Sequence, residues 1–194
     1  TAGSPAGRER MNRHEILSRL REDDPSHLET LRAQADEVRR REVGDDVHLR
    51  GLIEVSNRCS RTCAYCGLGR RTRGLYLMTA DDILQAARHA AALQYGTVVL
   101  QAGETPTITS DWMTDLIRAI KAESGLAVTL SLGERSEADL ARWRLAGADR
   151  YLLRFETSDR DLYDRIHPSL PGLLSDRIAL LRVLHDLEYE VGSG

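Results

Sequence analysis

From residue 48 onward, short apolar runs of strand length alternate with amphipathic stretches of helical length, and this alternation is what most restricts the fold. Strands are expected at 48–56, 97–101 (TVVLQ), 126–132 (LAVTLSL) and 150–155 (RYLLRF), with a fifth beginning at 189–192. Between them, Thr79 is expected to open a helix through Gln94, with Asp82 in its first turn and Ile83, Leu84, Ala87 and Ala91 on one side. Gly96 ends it. Ser110 is expected to start a second helix, carrying Trp112, Leu116, Ile117 and Ile120, and Ser136 to cap a third that Gly147 ends. Two more helices are expected around 159–166 and 174–187. Strands separated by helices of this length make βαβ units and a parallel sheet, an α/β fold.

The residues capable of chemistry cluster where the strands end: Cys59, Cys63 and Cys66, then Gly103-Glu104, Gly133-Glu134 and Glu156. A (β/α) barrel of the TIM type places its active site there, at the C-terminal ends of its strands. A doubly wound open sheet is the competitor, weakened because no G-x-G-x-x-G follows the first strand. Five strands, the last only begun at Gly194, fall short of the roughly 250 residues of a closed eight-unit barrel. The sequence therefore reads as a truncated, partial barrel over 48–194.

Upstream, residues 11–47 read as a helical extension of two charged helices. Asn12 caps the first, with Ile16, Leu17 and Leu20 on its apolar side; Asp24-Pro25 starts the second, with Leu28, Leu31, Ala35 and Val38 at helical spacing. Residues 1–10 precede Met11, a natural start, and read as a tag or non-native leader. With 27 basic and 30 acidic residues the net charge is −3, which gives no field favouring nucleic acid or an anionic membrane. No apolar run of about 18 residues is present to span a bilayer.

The three cysteines lie within eight residues, in a C-x3-C-x2-C spacing directly after the first strand. An odd number so closely spaced cannot staple a domain, and clustered thiols suit a metal in a reducing cytoplasm. One short loop can wrap three thiolates around one small object. A structural zinc site prefers four ligands, and a cubane cluster normally takes four cysteines. Three cysteines leave one iron open, which suits catalysis. Zinc, or a cluster carrier without turnover, are the alternatives.

With Tyr65 before the last cysteine, the motif resembles that of the radical S-adenosylmethionine superfamily. The runs 100–104 (LQAGE), 128–134 (VTLSLGE) and 148–157 (ADRYLLRFET) resemble the biotin synthase-like group within it, above all the HydE family of FeFe-hydrogenase maturases, with methylornithine synthase (PylB) as the alternative. The resemblance covers roughly residues 12–194 and the first half of that family's length. It implies a 4Fe–4S cluster on Cys59, Cys63 and Cys66 whose open iron engages S-adenosylmethionine, an electron breaking the C5′–S bond to give a 5′-deoxyadenosyl radical. It further implies that Gly103-Glu104 meets the methionine ammonium and Arg177 its carboxylate, that Glu156 meets the ribose hydroxyls and Tyr65 the adenine, and that Ser131 lies close to the cofactor. Gln101, Thr129 and Arg154 would line the substrate cavity, Arg154 favouring an anionic ligand. The residues alone also allow Gln101 and Thr129 to be satisfied strand-end groups, Arg154 and Glu156 to form a structural pair, and Arg177 to be solvated. Phe155 stands where many relatives carry His. The implied partners are a small organometallic or amino-acid-derived substrate, a reductant such as ferredoxin or flavodoxin, and the other hydrogenase maturases.

Overall fold

A computed structural model describes residues 11–172 and 174–194. The leader expected at residues 1–10 lies outside the described residues. The chain divides into two units between Val47 and His48.

The first unit holds α1 (Arg13–Leu20) and α2 (Pro25–Val43). Asn12 and Glu15 cap α1 reciprocally, each side chain accepting from the other's backbone N–H. Asp24 accepts from the N–H groups of Ser26 and His27 at the start of α2, and Pro25 occupies the first helical position, where no N–H is needed. Arg19 of α1 donates to Gln34 of α2 at 3.3 Å. Neither helix carries a buried residue.

The second unit runs β1 (Arg50–Ser56), α3 (Ala80–Ala92), β2 (Thr97–Ala102), α4 (Ser110–Ser124), β3 (Ala127–Ser131), α5 (Glu137–Leu145), β4 (Arg150–Leu152), α6 (Arg160–Ile166), α7 (Arg177–Asp186) and β5 (Glu190–Gly192). The five strands form one parallel sheet in the order β1-β2-β3-β4-β5. A doubly wound sheet reverses its strand order at a switch point; this sheet never reverses, which is the order of a barrel wall.

Side-chain alternation gives the sheet two unlike faces. Ile53, Val55, Val98, Leu100, Val128, Leu130 and Tyr151 form one core with Ile83 and Ala87 of α3, Met113, Ile117 and Ile120 of α4, Leu140 and Trp143 of α5, and Leu184 of α7. Fully burying an aliphatic or aromatic side chain of this size contributes about 1.5–3 kcal/mol, so this face carries most of the unit's stability. On the other face, Glu54, Gln101 and Ser131 lie side by side in register, above a layer of Leu52, Val99, Thr129 and Arg150. Leu52, at 57% exposure, marks that face as open.

The helix starts follow their caps: Thr79 and Asp82 form a capping box on α3, and Ser136 caps α5. Helix α4 starts at Ser110 as expected, capped by Thr109, whose side chain accepts from the Trp112 N–H. Helix α3 stops at Ala92 rather than Gln94, because Gln94 turns left-handed, at φ +60°. The fourth strand is shorter than the expected 150–155. Its ladder ends at Leu152, and Glu156 adopts φ +67°, which takes the backbone off the extended path. Arg154 and Glu156 are thus not consecutive same-face residues of one strand.

Asp149 joins α4, β3 and β4. Its carboxylate accepts from the Val128 N–H at 2.7 Å and from Lys121 Nζ at 3.1 Å, while its own N–H donates to the Val128 carbonyl at 2.9 Å. Asp149→Ala leaves the buried Val128 N–H without this acceptor and is expected to lower the unfolding free energy by about 1–3 kcal/mol. Urea denaturation of the variant checks the value.

Candidate functional site

The loop after β1 is stitched back onto its own strand. Ser56 Oγ donates to the Tyr76 carbonyl at 2.7 Å, Asn57 Nδ2 donates to the Gly74 carbonyl at 2.9 Å, and Asn57 Oδ1 accepts from the Tyr76 N–H at 2.9 Å. The Met78 N–H donates to the Val55 carbonyl at 2.9 Å. The cysteine segment is tied further: the Ser60 N–H donates to the Glu104 carbonyl at 2.7 Å and the Ala64 N–H to the Ile166 carbonyl at 2.8 Å. It also lies flat against Gly103, where a Cβ would stand 2.5 Å from the Arg58 carbonyl oxygen and 2.6 Å from Cys59 Cβ. Only glycine permits that approach.

All three cysteines are free thiols and line one cavity of about 650 Å³ over the strand ends. Tyr65, Gln101, Gly103, Glu104, Ser131, Arg154, Glu156 and Arg177 share its lining. The structure therefore brings together every expected site residue except Thr129. That residue sits one layer deeper on the Ser131 face, beside Arg150, and its buried Oγ1 has no hydrogen-bond partner among the described residues. Arg150 itself is held by Glu190 and by Thr97 Oγ1 at 3.3 Å.

Arg61, Glu104 and Arg177 of the cavity wall belong to a charged network that extends behind it to Glu134. Arg61, 4% exposed, donates from Nε to Glu104 at 2.5 Å and from Nη2 to Glu134 at 3.1 Å. Arg177, 8% exposed, donates to Glu104 and Glu134 at 2.9 Å each and to the Arg154 carbonyl at 2.8 Å, with Glu156 at 3.7 Å. Arg177 is thus buried rather than solvated, and it is Arg177, not Arg154, that lies beside Glu156. Ser175 Oγ donates to Glu134 at 2.6 Å, and His167 Nε2 stands 3.3 Å from the same oxygen. Gly133, at φ +72°, lets the backbone turn where a side chain would strike Glu104. Glu104, Glu134 and His167 are close enough to share a cation. Two guanidinium groups already occupy their carboxylate oxygens, so the cluster is an ion-pair network.

Burial opposes ionisation of Glu134, but hydrogen bonds from His167, Ser175 and Arg177, and the charge of Arg61, outweigh it and bring the carboxyl down to about 2. Burial also acts against the Arg177 charge, and Glu134, with Glu104 beside it, still drives the guanidinium pKa upward. The Cys63 thiol is pushed up, chiefly by burial.

Of the network, Glu134 was marked only by its place at a strand end; Arg61 and His167 carried no local signal. The repeat of Gly-Glu at 103–104 and 133–134, ending successive strands, was the available hint of a shared arrangement. The donor set fits an iron–sulfur cluster with an open iron. Three thiols on one loop face a roomy cavity, with no fourth cysteine in the chain, and cations and carboxylates stand alongside for a zwitterionic ligand.

Two outcomes are expected. The Glu134 carboxyl is depressed from its usual 4.5 to about 2, so its contribution to stability is complete above pH 4.5 and is lost as pH falls toward 2. In acid titrations followed by circular dichroism, Glu134→Gln flattens the stability change across that window. Gly103→Ala pushes the cysteine loop off its seat and abolishes retention of iron after reconstitution, measured by iron analysis of the folded variant.

Residues 53–193 match the model of the Radical SAM superfamily. The FeFe-hydrogenase maturase subunit HydE of Thermotoga maritima is 41% identical over 189 residues, covering 96% of this chain and 53% of that protein. The 3-methylornithine synthase of Methanosarcina acetivorans is 27% identical over 147 residues, covering 74% of this chain and 42% of that protein. The crystal structure of methylornithine synthase (PylB) superposes with a TM-score of 0.83 at 26% identity, covering 93% of this chain and 54% of that one. That of the maturase HydG, at TM-score 0.79 and 20% identity, covers 90% and 40% and shares the fold. The chain spans about half the length of the curated relatives it matches. With a parallel barrel wall, a C-x3-C-x2-C loop at its strand ends and a family match through most of its length, the chain belongs to the radical SAM superfamily, which uses a 4Fe–4S cluster and S-adenosylmethionine.

Proposed function

We propose that this chain is the cluster- and S-adenosylmethionine-binding part of a HydE-like radical maturase of the FeFe hydrogenase. The observation that carries the reading is the 41% identity to HydE across nearly the whole chain. Cys59, Cys63 and Cys66 would hold the cluster. When bound, the reduced cluster and S-adenosylmethionine supply a 5′-deoxyadenosyl radical.

The chain's own residues bind and orient. Arg177 presents a planar, permanently charged fork at the cavity edge, suited to the methionine carboxylate, and its pairing with Glu104 and Glu134 fixes the direction of that fork. With the Glu104 carboxylate engaged by Arg61 and Arg177, the 103–104 backbone is left to meet the methionine ammonium. Glu156, beyond the end of β4, is placed for the ribose hydroxyls; Tyr65 for the adenine; Ser131 for the cofactor's near side. Gln101 and Arg154 face the substrate, and Thr129 stands one layer below them, outside the cavity lining. In this reading the substrate would be a small cysteine-bound iron complex bearing CO and cyanide, which the chain's residues bind and orient, none of them serving as general acid or base. The partners are a ferredoxin or flavodoxin reductant and the other two hydrogenase maturases, and the compartment is the reducing cytoplasm. Among the described residues no helix is long and apolar enough to cross a membrane.

A second reading, an amino-acid-derived substrate, is supported by the likeness to methylornithine synthase at TM-score 0.83. Anaerobic reconstitution with iron and sulfide, then reduction with S-adenosylmethionine, tests the shared part. 5′-Deoxyadenosine is expected from the wild-type chain and not from Cys63→Ala; its absence from the wild type, or equal yield from the variant, overturns the reading. Stimulation of that yield by an iron carbonyl–cyanide cysteine complex favours the maturase, and stimulation by free amino acids favours the second reading.

A further inference from the structure

His167 is a titratable side chain that the proposed function leaves idle. It follows α6 directly, is completely buried, and its backbone N–H donates to the Tyr163 carbonyl at 2.8 Å. A histidine that merely fills a core needs one polar partner; this ring has three. Nδ1 stands 3.1 Å from Cys63 Sγ and 3.2 Å from the Tyr65 hydroxyl, while Nε2 stands 3.3 Å from Glu134.

The neighbouring backbone repeats the contact. The Ile166 carbonyl accepts from the Ala64 N–H at 2.8 Å, and the Pro168 carbonyl accepts from Arg61 Nη1 at 3.4 Å. Three consecutive residues, 166 to 168, therefore grip four of the cysteine loop, Arg61, Cys63, Ala64 and Tyr65. Cys63 is the buried member of the three cysteines, so the direction of its sulfur is set by protein rather than by solvent. Of the three cysteine loop side chains nearest the network, only Arg61 touches Glu134 directly; Cys63 and Tyr65 reach it through this ring.

We propose that His167 is a positioning residue for the cluster, its ring coupling the Cys63 ligand arm and the Tyr65 hydroxyl to the Glu134–Arg177 network. This rests on the cluster-binding reading above. A group that orients a ligand raises the site's affinity for metal, and a hydrogen bond to a ligating sulfur raises a cluster's reduction potential by offsetting the charge of the reduced form. The same ring gives the cluster loop a mechanical link to the arginine proposed to bind the S-adenosylmethionine carboxylate.

The test is anaerobic reconstitution of the chain and of His167→Phe, His167→Asn and His167→Gln, with folding checked by circular dichroism. Three properties are read: iron retention against a chelator, cluster midpoint potential, and the electron paramagnetic resonance line shape of the reduced cluster. Asn keeps a polar group near the Nδ1 position, Gln one near Nε2. His167→Phe is expected to lose about 10- to 100-fold in iron retention, the range typical of outer-shell partners, with a lowered potential and an altered line shape. Asn is expected to restore the potential more fully than Gln. A folded His167→Phe with wild-type potential and line shape overturns the proposal. If that variant does not fold, equal potentials in Asn and Gln overturn it. A wild-type chain that takes up no cluster defeats the cluster-binding reading itself, a result distinct from wild-type loading with no effect of His167.

Discussion

Two guanidinium groups and two carboxylates, almost excluded from water, share one set of hydrogen bonds among Arg61, Glu104, Glu134 and Arg177. Desolvating four charges costs several kcal/mol per ion, offset only when every partner is present and well aligned. The arrangement is therefore all or nothing. Removing any one member leaves an uncompensated charge in a poorly solvated pocket, which is more damaging than never having built the network. It holds the cysteine loop through Arg61, the ends of β2 and β3 through the two glutamates, and the start of α7 through Arg177.

That division of labour explains how an irregular loop is held in place. The sheet and helices supply most of the burial, on the face away from the cavity, while the loop has little apolar surface of its own. Its position comes from directional contacts: the backbone bonds of Ser60 and Ala64, the close approach at Gly103, and the Arg61 fork. A packed core tolerates small adjustments of volume, whereas a site assembled from hydrogen bonds fixes direction. The cavity side of the sheet accordingly carries polar residues in register, Glu54, Gln101 and Ser131, where the helix side carries Val and Leu.

The local features of this fold were legible in the sequence because they arise from local physics. Apolar runs broken by Thr79 and Ser136 caps gave the strand–helix alternation, and the cysteine spacing gave the metal loop. Where the reading slipped, the cause was backbone conformation that side chains do not announce. Gln94 takes a positive φ although it is not glycine, which ends one helix early, and Glu156 takes one just beyond a strand whose ladder has already stopped at Leu152. The missing partners, Arg61 and His167, could not be read at all, because their side-chain hydrogen bonds span 33 to 107 residues of chain and leave no periodicity. Arg177 was placed at the cavity by resemblance, while its engagement with two glutamates emerged only from the assembled structure.

The members of the network are also spread along the chain in a telling way. Arg61 follows β1, Glu104 follows β2, Glu134 follows β3, and Arg177 opens α7. Each βα unit contributes roughly one charge, so during folding no pair of neighbouring units completes the set. The cysteine loop therefore draws its position from segments as far apart in the chain as Arg61 and Arg177, which meet on the same Glu134 carboxylate. The three thiols have a defined seat only where the whole wall from β1 to α7 is assembled.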